Sequence, residues 1–402
     1  MARCDALAAH SEHPAGLTRV YLSAQHRAAN DLVIAWTREA GMSARLDQVA
    51  NVIGRYEGDQ PDLPALLIGS HLDTVRDAGK YDGMLGVVTA IECVHALHRA
   101  GRRLPFAIEV IGFADEEGVR FGSTLLGSRA VAGTFRYETL DSEDKDGVTL
   151  RAALREAGLD PAQIGAAARR REEVLAYVEL HIEQGPVLEA EGLAVGVVTA
   201  INGATRLAIE IDGTAGHAGT VPMNLRHDAL AAAAECVLAI ERRCGSVAEL
   251  VGTVGKLETL PGAVNVIPGK VSFSLDVRSP RDSERVTAVE EVVAEMREIA
   301  QRRGVALRLS RTHEGNVAQC APWLQAQIGA AIVAEGFPLR SLPSGAGHDG
   351  MAMIDLADIG MLFVRCARGI SHNPAEAISA ADAHTGGLVL SRFIENFKWQ
   401  AP

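Results

Sequence analysis

The sequence predicts an α/β fold in two parts, a larger domain interrupted by a smaller inserted domain. Two observations carry this. Strand-like and helix-like segments alternate through the first half, and the block over 203–312 then runs strand, helix, strand, strand, helix, strand before the alternation resumes. A chain of 402 residues has room for several cores at roughly 100 to 200 residues per domain. Apolar residues make up 48% and charged residues 22%, ordinary globular usage that excludes a largely disordered, collagen-like or disulfide-scaffold chain.

The elements follow in order. Residues 65–70 (ALLIGS) read as a short buried strand, 84–100 as a long apolar helix ending at Gly101, and 106–113 (FAIEVIGF) as a second buried strand. Strands over 177–182 and 195–201 continue the series, while 138–173, rich in charge and alanine, reads as solvated helices and loops. The alternating run TRLAIEID over 205–212 opens the inserted block. Helix 228–243, strands 250–260 and 270–278, helix 282–303 and strand 305–311 complete a ferredoxin-like split unit. Beyond Pro322 come a helix, a strand over 360–365 and a closing helix over 380–399.

Acidic residues outnumber basic ones, 51 to 39, for a net charge of −12. Nucleic acid and an anionic membrane are poor partners for such a chain. No apolar stretch has the roughly 18 residues of a membrane span, and Asp5, His10, Glu12 and His13 occupy the place of a signal-peptide core. A cytoplasmic address is expected. The six cysteines form no CxxC pair and read as reduced core thiols.

Residues able to bind metal gather where apolar strands stop, which is where α/β folds place their sites. His71 and Asp73, two apart in GSHLDTV, would face the same side of an extended strand end, so that Asp73 holds the far imidazole nitrogen. Asp82 in YDGMLG precedes a helix, where an N-cap is the ordinary alternative. Asp115, Glu116 and Glu117 are three carboxylates in a row that repel one another unless a cation neutralises them. A solvated acidic turn is the alternative. Neighbouring residues point in different directions, so one of Glu116 and Glu117 can bind metal while the other handles protons. His181 ends a further buried strand, and His372 sits in a Gly/Pro loop. His95 and His98 read as a solvated helix end, and His10, His13, His26, His227, His313 and His384 as surface or packing residues.

GSHLDTV, YDGMLG, DEEGVRFG, LHIEQGPVLE, GHAGTVPM, AVNVIPG, LDVRSP, PSGAGHDGM and GISHNPAE together resemble, almost end to end, the hydantoinase/carbamoylase-type amidohydrolases of the aminoacylase and carboxypeptidase-like metallopeptidase superfamily. The resemblance implies a dinuclear-metallopeptidase-like catalytic domain over 1–202 and 313–402, with an inserted dimerisation and lid domain over 203–312. It implies two divalent ions per subunit, one on His71, Asp82 and His181, the other on Asp82, Glu117 and His372, with Asp82 shared. Histidine with carboxylate suits Zn, Mn, Co or Ni and does not choose among them. Glu116 is implied as general base beside the metals and Asp73 as the partner of His71. His217, supplied across a homodimer interface, is implied as a stabiliser of developing negative charge. Asn265 and Arg278 are implied to hold the substrate carboxylate, for which a guanidinium fork is suited; the ordinary alternative for Arg278 is a surface salt bridge. Gln184 is implied at the ureido end, and the loop of Gly345, Ala346, His348 and Asp349 in the substrate pocket. The implied substrate is a small anionic ureido compound, allantoate first. N-carbamoyl-L-amino acids or a β-ureidopropionase-like activity are the alternative, and a metallo-exopeptidase or aminoacylase stands further off.

Overall fold

The structure, a computed structural model, describes residues 1–14 and 16–400. The chain forms two compact units, residues 1–199 with 319–402, and residues 200–318.

In the large unit the sheet order runs Ser43–Leu46, Val52–Tyr56, Ala107–Phe113, Ala65–His71, Val174–Ile182, Ile359–Val364, Val195–Ile201. The four strands from Ala107–Phe113 to Ile359–Val364 are mutually parallel, and the flanking ones antiparallel. Ala65–His71, Ala107–Phe113 and Ile359–Val364 are buried along their whole length, as a parallel sheet covered on both faces requires. Helices Ala24–Glu39, Met84–Arg99, Pro322–Ala334 and Ala380–Asn396 share one continuous apolar core with the sheet. Burial of that core is the main driving force for the unit.

The segment 138–173 departs from its solvated reading. Leu140, Leu150, Leu154 and Ile164 are buried with Tyr21, Leu126 and Ala130 in a second core. Short helical turns bring widely spaced apolar residues onto one side, and spacing that irregular leaves no period to read in the sequence.

In the small unit an antiparallel sheet runs Leu257–Leu260, Lys270–Ser279, Gly203–Asp212, Ala306–Gly315, with Val251–Thr253 also paired to Lys270–Ser279. Alternate residues of Lys270–Ser279 are buried, so one face packs on helices Ala229–Gly245 and Asp282–Arg303. Asp228 caps the first helix by accepting from the N–H groups of Leu230 and Ala231. The strand read over 250–260 is two short strands. Gly216–His217 pairs with Val266–Ile267 in a separate two-stranded ribbon.

Candidate metal centre

The carboxyl ends of the four parallel strands supply the chemistry. His71 ends Ala65–His71, Glu116 and Glu117 follow Ala107–Phe113, His181 lies near the end of Val174–Ile182, and the chain leaving Ile359–Val364 carries His372. Asp82 comes from the turn before helix Met84–Arg99. The N-cap of that helix is Gly83, at φ 75°, and no side chain caps it. A side chain on Gly83 would meet the His71 ring, so glycine at this position lets the turn pass against the imidazole. Asp82, 3% exposed, is therefore free of helix capping and turns toward the histidines.

Its two oxygens face different partners. Asp82 Oδ1 lies 3.1 Å from His181 Nε2 and 3.5 Å from His71 Nε2. Asp82 Oδ2 lies 3.1 Å from His372 Nε2, which is also 3.4 Å from Glu117 Oε1. Among the described residues four groups could hold a metal ion, and Asp82 is common to two of them, His71–Asp82–His181 and Asp82–Glu117–His372; the others are His71–Glu116–Glu117 and Glu179–His181–His348.

The donor chemistry fits a cation in both groups that share Asp82. His71 Nδ1 is 3.0 Å from the Asp73 carbonyl oxygen and His181 Nδ1 2.9 Å from that of Ile182. A carbonyl only accepts, so each Nδ1 carries hydrogen and Nε2 is the atom left to face the Asp82 oxygen, through a proton or through a metal ion. Either way a positive charge sits between ring and carboxylate. Burial opposes charge on His71, but the Asp82 bond and the Glu116 and Asp73 charges outweigh it and hold the ring well above its ordinary value. Glu117 is pushed up to about 7, by burial first and by the Asp82 and Asp73 charges, although His71 and His372 oppose the rise. Burial also drives Glu116 well above the usual carboxylate range, with Glu117 and Asp349 adding to it against His71. Glu116 has a ligand atom within 4.8 Å of His71 and Glu117.

Asp73 meets His71 Nδ1 through its backbone carbonyl at 3.0 Å, with its carboxylate Oδ1 further off at 3.7 Å. The carboxylate also accepts from the backbone N–H groups of Glu116 at 3.0 Å and Glu117 at 3.1 Å, so it fixes the acidic turn as well. Gln184 Nε2 donates to Asp82 Oδ2 at 2.9 Å. Gln184 and His372 both hold positive φ, 56° and 53°, strain of a kind that collects at functional sites.

His348 is buried behind His181, its ring edge-on at 4.5 Å between centroids, with Nε2 2.7 Å from Ser344 Oγ. Gly345 is exposed and Ala346 half-buried, and a side chain added at Gly347 would approach Glu116 Oε1 to 3.9 Å. In the small unit, His217 pairs with Val266, and Asn265 accepts from the Ala218 N–H at 2.9 Å, which brings His217 and Asn265 together. Arg278 forks onto Asp276, Nε at 3.1 Å and Nη2 at 2.9 Å. A substrate carboxylate would have to engage Arg278 beside Asp276 or in its place.

Sequence reading missed several residues. Glu179, buried, accepts from Ser70 Oγ and Tyr177 OH, both at 3.0 Å. Ser371 and Glu376, in the same stretch as His372, bond to the Asp82 turn. The legible signal for Asp276 was its place two residues from Arg278, on the same face of one strand.

The family profile of peptidase family M20/M25/M40 matches residues 67–396. The chain belongs to this family. It is a hydrolase acting on C–N bonds. The chain is similar to an N-carbamoyl-L-amino acid amidohydrolase of Geobacillus stearothermophilus, 43% identical over 93% of this chain and 92% of that one. It is similar also to allantoate deiminase 1 of Glycine max, 40% identical over 98% and 88%. A solved amidase of the hydantoinase/carbamoylase family from Burkholderia multivorans superposes with a TM-score of 0.92 at 32% identity, covering 97% of this chain and 95% of that one. The M20/M25/M40 match spans all five proposed ligands, His71, Asp82, Glu117, His181 and His372. No helix among the described residues is long and apolar enough to cross a membrane.

Proposed function

We propose that this family member is a dinuclear metal amidohydrolase that cleaves the ureido C–N bond of a small carboxylate. The reading rests on one observation above all: the Asp82 carboxylate is shared by two groups of histidine and carboxylate ligands. His71, Asp82 and His181 would hold one divalent ion and Asp82, Glu117 and His372 the other. When bound, the ions supply positive charge that acidifies water and polarises a carbonyl. Glu116, close to the ligands but outside both shared groups, takes a proton from water and passes it to the leaving nitrogen. Its raised affinity for protons suits both halves of that task, and Asp73, by fixing the two backbone N–H groups, keeps Glu116 and Glu117 turned apart. The ureido group plus water yields amine, ammonia and carbon dioxide.

Allantoate is the substrate we put first, and N-carbamoyl-L-amino acids the second, favoured by the 43% identical relative of that name. Both carry a ureido group and a carboxylate. In the small unit, which we read as a ferredoxin-like insertion, His217, Asn265 and Arg278 are the proposed contacts to substrate, with Gln184 at the ureido end. We place His217 across a homodimer interface. Met223 at 77% and Val264 at 106% exposure, near the His217 ribbon, give that unit apolar surface to cover. His348 we read as a support for His181. A panel of allantoate, N-carbamoyl-L-amino acids, N-acetyl amino acids and dipeptides, assayed on metal-reconstituted protein, tests the proposal. Hydrolysis of ureido substrates alone is expected. Turnover confined to dipeptides or N-acetyl amino acids would overturn it.

A further inference from the structure

Ser371 and Glu376 belong to neither ligand group, yet they tie the two groups' loops together. Buried Glu376 accepts through Oε1 from the backbone N–H of Tyr81 at 2.8 Å and of Asp82 at 3.2 Å. Gly79 makes room for this reach, because a side chain there would overlap the Glu376 carboxyl. Ser371 Oγ lies 2.8 Å from Glu376 Oε2 and 3.0 Å from Asp82 Oδ2. A hydroxyl has one hydrogen and two lone pairs. Ser371 therefore donates to one carboxylate at a time, while Gln184 Nε2 donates to it at 3.2 Å.

We propose that Glu376, acting with Ser371 over the space left by Gly79, is a positioning residue that aims Asp82 Oδ2 at His372 and Glu117. This rests on the metal reading above. A carboxylate oxygen has two lone-pair directions; Gln184 Nε2 takes one on Oδ2, and with the Ser371 hydrogen given to Glu376 Oε2 the other is open to a cation. Without Glu376 the Asp82 backbone loses its anchor and the carboxylate torsion, broad and roughly two-fold by nature, is released. The two groups then suffer unequally. His71 and His181 are buried and each is fixed through Nδ1 by a carbonyl. The His372 side chain is 50% exposed, and it follows Ser371 directly in the chain. Partners that orient metal ligands are typically worth about 10- to 100-fold in metal affinity, and here the loss falls on one ion.

The test is calorimetric titration of Zn²⁺ into metal-free full-length protein, wild type against Glu376→Ala and Gly79→Ala. The glycine variant dislodges the same carboxyl from the opposite side and leaves its chemistry intact. The expected result is two ions bound by wild type, and in both variants one ion near wild-type affinity with the second weakened at least about tenfold. Equal weakening of both ions, as from a merely structural role, overturns the proposal. So do two affinities within about twofold of wild type. Failure of wild type itself to bind Zn²⁺ would instead remove the metal reading on which the proposal stands.

Discussion

In the large unit, anions lie below the surface at the ends of parallel strands. Among the described residues no Lys or Arg pairs with Asp82, Glu116 or Glu117, and the ion-pairing partners of Asp82 and Glu117 are histidines. In the small unit, anions sit on helix faces beside arginines: Glu235 with Arg302 and Arg303, Glu291 with Arg243, Glu295 with Arg242. The second arrangement is stable as it stands, and each exposed pair contributes little, about 0 to 1 kcal/mol. The first is not, since a buried carboxylate without a counter-charge is costly. Several such groups facing one another form a cluster that a bound cation would neutralise.

The largest effect should come from the residue that the comparison places in the buried cluster but outside the shared ligand groups. Glu116→Gln is expected to keep both ions and to lower kcat by roughly 10² to 10⁴ through loss of proton transfer. Loss of metal in that variant, measured by elemental analysis beside the kinetics, would make Glu116 a ligand and erase the division of labour between it and Glu117.

A smaller effect probes the open side of the comparison. Arg278 already forks onto Asp276, so the surface-pair reading and the substrate reading make opposite forecasts. If Arg278 holds substrate, Arg278→Lys lowers kcat/KM on ureido carboxylates by at least about tenfold, equivalent to about 1.4 kcal/mol, with metal content and Tm near wild type. Wild-type kcat/KM on the best substrate would leave Arg278 as an ordinary ion pair.

The smallest effect contrasts the two regions through pH. His26, fully buried in the large unit with neither ring nitrogen hydrogen-bonded, is pushed down from 6.5 to about 3 by burial and then by Arg19 and Arg27. Between those values only the unfolded chain binds the proton, so this contribution is complete above about 6.5 and is lost as pH falls. Urea unfolding at pH 7.5 and 6 should show wild type losing about 0.8 kcal/mol more than His26→Phe. In the small unit, Glu235 is held at about 2 by its bonds to Arg302 and Arg303. Its contribution is present above the ordinary 4.5 and fades only as pH falls toward 2, so Glu235→Gln should leave the same interval unchanged. A matching change in both variants would dissolve the contrast.

What the sequence disclosed follows the same division. His71, His181 and the acidic turn were legible because each follows a run of apolar residues that must be a buried strand, and a polar group at such an end needs a reason. Helix 282–303 was legible to the residue from its period and its Gly304 stop. The N-terminal elements up to Val52–Tyr56 were not placed, in part because Ser43–Leu46 is largely exposed and carries no alternation. The second partner of Asp73, the backbone of Glu116 and Glu117, was not legible, since it lies more than forty positions away. Glu376 reaches Asp82 from 294 positions away, and no spacing rule connects residues that only the tertiary fold brings together.

The central claim is that Asp82 joins two metal sites, and the metal content of Asp82→Ala tests it most directly. Elemental analysis of purified wild type and variant, loaded with Zn²⁺ and freed of excess, should give two ions per chain for wild type and loss of both for Asp82→Ala. An Asp82→Ala protein that retains two ions per chain would contradict the account.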